Sequence, residues 1–183
     1  MSNDYSFSLH IEKAVSAANK LTGWALRSFH RRSRQVMFTI WKTLVQPKLD
    51  YCSVLWSPPD QGSIARLESV CRNFTSQVAE FESLDYWERL AELEIYSQER
   101  RRERYSIMFM WKISQQLVQG YNVEFMQNPR RGRLAVVPSP SPCTAPARET
   151  SFKVQGSRLF NLIPMELRGV DGSVVKFKAS LDS

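Results

Sequence analysis

The sequence predicts a mostly α protein: a helical bundle over residues 1–120, an extended Pro/Arg-rich linker over 121–150, and a short strand or arm plus small helices over 151–183. Three observations carry that expectation. Apolar residues recur at steps of three and four from Leu9 to Val118, the period of a helix with one buried face. Residues able to start or stop helices, Ser33, Pro58, Asp85, Ser97 and Gly120, fall between the periodic runs. Pro138, Pro140, Pro142 and Pro146 then crowd a stretch rich in Ser and Thr, a composition that favours polyproline-like or disordered chain over a packed element.

The first helix is expected from about Leu9 to Ser28, with Ile11, Val15, Ala18, Leu21 and Ala25 inward and Trp24 near the edge. Lys13, Lys20 and Arg27 fall at steps of seven. Seven residues are two turns less about 20°, so these cations line one face at intervals of about 10.5 Å. The row leads to Arg31, Arg32 and Arg34 in the turn before a second helix, where Ser33 is placed to cap.

That second helix carries an apolar pattern straight through a proline. Val45, Leu49, Cys52 and Trp56 form one row and Leu44, Tyr51 and Leu55 the adjoining one, in phase on both sides of Pro47. A preserved phase predicts a kinked helix wrapped around a core and ended by Ser57-Pro58-Pro59. Two helices meeting at Pro47 would give the same pattern.

Ile64, Leu67, Cys71, Phe74, Val78 and Phe81 next alternate three and four, a short heptad seam of the kind that packs one helix of a bundle. Asp85 followed by Glu88 spells a capping box, with Trp87, Leu90 and Leu93 inward. Ser97 opens another helix whose charged first half passes into Ile107, Met110, Trp111, Leu117 and Val118 before Gly120 ends it. Four arginines between Arg100 and Arg104 oppose the dipole at a helix start, so their presence points either to nucleic acid or to pairing with the acidic segment 80–94. Asn128-Pro-Arg-Arg-Gly-Arg133 begins the linker. Beyond it, residues 151–156 read as a strand or arm, with short helices near 158–162 and 164–167 and a last one after Ser173 that turns Phe177 and Leu181 inward.

Charge placement says more than the net +7: residues 1–36 carry six Lys/Arg against two acids, 37–97 five against nine, 98–119 five against two, and 120–183 nine against five. Basic flanks around an acidic middle point to a polyanion touched by selected surfaces, nucleic acid rather than membrane. The candidate contacts are Lys13, Lys20, Arg27, Arg31, Arg32, Arg34, Arg100, Arg101, Arg130, Arg131 and Arg133.

Cys52, Cys71 and Cys143 lack metal-ligand spacing, and with His10 and His30 as the histidines a zinc site is not expected. The start of the chain lacks a charged segment followed by an apolar block, and the longest apolar runs are far too short for a bilayer. These features read as an intracellular chain with reduced thiols, in nucleus or cytoplasm. The sequence contains no Asp-Asp pair, glycine-rich phosphate loop, Gly-x-Ser-x-Gly or His-Glu-x-x-His. No catalytic constellation, cofactor or metal is therefore assigned, and an enzyme is the weakest reading. A helical protein-interaction module without nucleic-acid binding is the alternative.

Several short motifs also carry a family resemblance in their order. Leu44-Val45 followed by Pro47, Leu49-Asp50-Tyr51-Cys52, Trp56-Ser57-Pro58, Arg66-Leu67-Glu68 with Val70, Tyr86-Trp87-Glu88-Arg89-Leu90, Glu99-Arg100-Arg101, and Arg158-Leu159-Phe160-Asn161 with Pro164 resemble the segment downstream of the catalytic palm in non-LTR retrotransposon reverse transcriptases of the Jockey and chicken-repeat type. The stretch from Ser2 to Ile11 is similar to the one following the primer-supporting hairpin in that family. The resemblance implies a thumb and C-terminal connector of an RNA-directed DNA polymerase, lying against a template-primer duplex or element RNA. It further implies that the palm, with its Tyr-x-Asp-Asp pair, lies upstream of Met1, and that the segment itself does no chemistry.

Overall fold

Helices make up most of the computed structural model, which describes residues 7–58, 60–136, 151–169 and 173–182. Two units emerge, Met1–Arg102 and Glu103–Ser183. The division falls inside the last long helix, where the sequence placed it near residue 120.

The first unit contains α1 (Ser8–Ser28), α2 (Arg34–Ile40), a π-helical turn (Trp41–Val45), α3 (Gln46–Asp50), α4 (Gln61–Thr75), a 3-10 turn (Ala79–Phe81), α5 (Tyr86–Glu92) and the first turn of α6 (Gln98–Ser114). From Arg34 to Asp50 the chain stays helical without a break, the kinked form of the two expected arrangements. Gln46 N–H reaches back five residues to the Trp41 carbonyl. That wide turn sits immediately before Pro47, which has no N–H to offer and whose ring presses on the carbonyl four residues earlier.

The helix stops sooner than expected. Tyr51 leaves helical geometry (φ −57°, ψ 118°), and Cys52 takes a φ of 51°, a left-handed value uncommon outside glycine. Tyr51 and Leu55 are therefore 74% and 62% exposed, where a continued helix would have brought them to the core. Trp56 swings back inward, its indole N–H donating to the Tyr51 carbonyl at 2.7 Å. Pro59, expected to end the helix, lies outside the described residues.

α4 supplies the centre of the core. Leu67, Cys71 and Phe74, with Val78 and Phe81 beyond the helix, are buried as the seam requires, while Ile64 is half-buried. They meet Ile11, Ala18 and Ala25 of α1 and Trp41, Val45 and Leu49 of the kinked helix, and the Trp41 and Phe74 rings lie 5.1 Å apart. Burial in that layer pushes the Cys71 thiol pKa well up. Asp60 caps α4 by accepting Ser63 N–H at 2.7 Å, a bond that holds its carboxyl below the ordinary range. Asp85 and Glu88 make the reciprocal box at 2.8 and 2.7 Å. Trp87, assigned inward, is 64% exposed, and Tyr86 takes the inward position instead.

The arginine-rich start of α6 is compensated from a distance. The Glu68 carboxyl on α4 accepts the Gln98 N–H at 2.8 Å and the Tyr86 hydroxyl, satisfying a backbone donor that the first turn leaves without an intrahelical partner. Ser97 Oγ accepts the Arg100 N–H at 3.3 Å. Arg101 pairs with Asp50 at 2.8 Å, with both side chains largely shielded. Arg102 donates to the Leu49 carbonyl at 2.9 Å and lies 4.0 Å from the Trp56 ring; desolvation lowers its pKa to about 10, which leaves it a cation at neutral pH.

The second unit contains the rest of α6, a hairpin of β1 (Phe125–Asn128) and β2 (Gly132–Ala135), then α7 (Phe152–Leu162), α8 (Met165–Arg168) and α9 (Val174–Asp182). The hairpin corrects part of the expected linker. Phe125 pairs with Ala135 and Asn128 with Gly132. The Asn128 carboxamide oxygen accepts the Arg130 and Arg131 N–H groups at 3.0 and 3.2 Å, and Gly132 supplies the positive φ of 67° that closes the turn. The rest of the expected linker, 137–150, lies outside the described residues, and with it Cys143 and the four clustered prolines.

Residues 152–156, read as a strand or arm, form the first turns of α7. Phe152, Gly156 and Phe160, four apart, are all buried. A Cβ at Gly156 would lie 2.7 Å from the Phe152 ring and 2.9 Å from Met110 Cγ, so the residue that weakens local helix propensity is the one the contact with α6 requires. Trp111 stacks on Phe177 at 4.6 Å. Asn161 pairs with both backbone groups of Ala135 at 3.0 Å, and Arg104 meets Asp182 through two bonds of 2.6 Å. α6 ends at Ser114 rather than at Gly120, with Gln116 already at a φ of 59°.

Candidate nucleic-acid interface

α1 sends Ile11, Ala18 and Ala25 into the core, and this burial fixes the opposite side outward. Lys13, Lys20 and Arg27 are exposed there, and Arg31 is exposed in the turn that follows. Among the described residues no carboxylate pairs with any of these four cations.

Beside the row runs an open groove of about 620 Å³, lined by Glu12, Ser16, Asn19, Lys20, Gly23 and Arg27 of α1 together with Val15, and by Arg66 of α4. Gly23 has no side chain to fill it, and a Cβ there would touch the Arg27 guanidinium at 3.4 Å. Arg66 pairs with Glu12 at 3.3 Å, both more than half exposed. Such pairs are worth about 0–1 kcal/mol and are screened by salt, so Arg66 remains available to an anion. Three cations thus face one carboxylate along the groove. Arg66 escaped the sequence reading because nothing in α4 alone tells which neighbour its polar side will face.

The other candidate contacts divide. Arg32 is half-buried and donates to the Gln77 carboxamide at 3.3 Å. Arg34 pairs with Glu92 at 3.4 Å. Arg100 is exposed, with its guanidinium 5.7 Å from the Tyr96 ring, while Arg101 is held by Asp50 as described. In the second unit Arg130 and Arg131 are exposed at the hairpin tip, whereas Arg133 turns back to the Ser114 carbonyl at 3.1 Å and lies 4.9 Å from the Phe125 ring. The structure sets Lys13, Lys20 and Arg27 along one face of α1, with Arg31 exposed in the turn beyond it; Arg101 and Arg133 serve as internal ties, and Arg34 makes a half-exposed pair of the same weak kind as Arg66.

Among the described residues no three His, Cys, Asp or Glu side chains converge as a metal site. No helix of the described residues is long and apolar enough to cross a membrane. Comparison with protein-family models, curated proteins and solved structures finds no match to this chain.

Proposed function

We propose that this chain is a thumb and C-terminal region of a non-LTR retrotransposon-type RNA-directed DNA polymerase, a helical unit that holds RNA or an RNA–DNA hybrid without performing chemistry itself. The observation that carries the reading is the cationic face of α1, Lys13, Lys20 and Arg27, followed by Arg31 in the turn beyond, all without an ion partner among the described residues and next to a groove that adds Arg66. Steps of about 10.5 Å along a helix give a cation row that spans about 21 Å, comparable to several phosphate steps. The acidic middle of the sequence disfavours any docking that buries it. Further support comes from motifs of the resemblance that are far apart in sequence and meet in the fold: Glu68 with Tyr86, and Asp50 with Arg101. The natural partners on this reading are element RNA, its hybrid duplex and an upstream palm, in nucleus or cytoplasm.

The test is the double variant Lys20→Gln, Arg27→Gln, which keeps α1 helical because Gln is nearly as good a helix former as Lys and Arg. Binding to a hybrid duplex is expected to weaken for all sequences alike, and the slope of log affinity against log salt to fall by about two units, near 0.9 for each phosphate no longer neutralised. Unchanged affinity and slope would turn the row into a solvated face. The helical protein-interaction module would then gain, supported by the shielded pairing of Arg101 with Asp50 and by exposed Tyr51, Leu55 and Trp87.

A further inference from the structure

The cationic face of α1 ends in two exposed aromatic rings that the core does not use. Trp24 is 49% exposed and Phe29 41% exposed. Four residues after Lys20 and three before Arg27, Trp24 lies within about 40° of Lys20 around the helix axis, on the outward side. Phe29, the first residue past α1, is extended (φ −113°, ψ 106°). Its ring meets Trp24 at 6.2 Å and 84°, so the two form a corner instead of stacking on each other and leave ring surface open to a third flat group.

We propose that this corner is a stacking platform for an unpaired nucleobase, so that the α1 face takes a single-stranded stretch of nucleic acid and not only a fully paired duplex. The inference rests on the proposed function, since the same strand's phosphates lie along Lys20, Arg27 and Arg31. Charge decides the occupant. The rings are set among cations that no carboxylate neutralises among the described residues, which suits a polyanion with aromatic bases. An apolar peptide would leave those charges without partners. In a regular duplex the bases are stacked on one another and their faces are unavailable, whereas an unpaired base offers a π-face, and stacking on aromatic side chains tolerates any base. A phosphate row with no ring beside it would give the single strand no advantage, since the duplex has the higher charge density.

The experiment uses the full chain in a Trp87→Phe background. Trp41, Trp56 and Trp111 are buried, so Trp24 then dominates the solvent-accessible indole signal. An oligothymidylate and a blunt duplex of equal length are titrated separately, reading Trp24 emission, its protection from acrylamide, and affinity. The single strand is expected to quench and protect Trp24. Trp24→Leu should lower single-strand affinity about ten-fold and duplex affinity less than two-fold, with the salt slope unchanged, and Trp24→Phe should restore most of the loss. Equal effects of Trp24→Leu on both ligands, or no effect on either, would overturn the platform. So would an emission shift produced by phosphatidylserine-containing vesicles but not by the oligonucleotide, which would assign the corner to a membrane surface. Failure of the proposed function is distinguishable: Lys20→Gln with Arg27→Gln would then leave both affinities unchanged while the Trp24 effect persisted.

Discussion

Replacing Glu68 by Gln and by Ala separates two roles that a carboxylate can play at a helix start. Its oxygens accept the Gln98 N–H at 2.8 Å and the Tyr86 hydroxyl, both from buried residues. Desolvation raises its pKa above the ordinary 4.5, outweighing the backbone hydrogen bonds from Gln98 and Glu99 and the Arg72 charge, which lower it. With the folded pKa above the unfolded one, the stabilisation belongs to the protonated group. It is complete below about pH 4.5 and is lost as pH rises through the raised value. A Gln side chain can accept the Gln98 N–H through its oxygen and donate its amide to the Tyr86 oxygen, so both partners stay satisfied without a buried charge. An Ala side chain strands both donors at about 1–3 kcal/mol for each buried unsatisfied group, so about 2 kcal/mol is expected where solvent reaches part of the site. Urea unfolding followed by far-ultraviolet circular dichroism should therefore place Glu68→Ala about 2 kcal/mol below the parent at neutral pH. Glu68→Gln should be no less stable than the parent there and should lack its downward slope above about pH 4.5. Equal losses in the two variants would refute the reasoning, because charge rather than hydrogen bonding would then be what holds the start of α6.

Arg101→Gln is expected to lower stability by about 2 kcal/mol, the cost of losing one charge-assisted bond, since Asp50 loses the 2.8 Å contact with Arg101 but keeps the Gln46 amide at 3.0 Å, and to leave the salt slope of nucleic-acid binding unchanged. A slope reduced by a full unit would move Arg101 from the core to the ligand. Gly156→Ala gains about 1 kcal/mol of helix propensity, but its methyl would sit 2.7 Å from the Phe152 ring and 2.9 Å from Met110 Cγ. Overpacking of that kind costs about 1–3 kcal/mol, and the Phe152 ring is held by Phe109 and Tyr121 at 5.1 and 5.7 Å. A lower melting midpoint is expected, and a raised one would show that the packing yields.

Several roles set within one turn of chain were determined by the sequence alone, although Ser33, read as a cap, makes no side-chain cap bond. The buried row of α1, the α4 seam and the Asp85–Glu88 box needed only the helical period and cap chemistry. So did the cation spacing of Lys13, Lys20 and Arg27, because neighbours at i+7 share a face on any helix. The hairpin at Asn128–Gly132 was written in its turn residues, though the prolines and arginines around it read as linker. Which arginines face solvent was decided by tertiary structure, since a guanidinium at a helix start looks the same in sequence whether Asp50 or a phosphate meets it. The end of the kinked helix was decided there as well: Cys52 adopts a left-handed backbone and Trp56 returns to the core, although the apolar pattern continues in phase. Periodicity reports which residues can share a face. Long-range partners such as Glu68 for α6 and Arg66 for the groove depend on how helices cross, and that geometry is set by the packing of all the side chains at once.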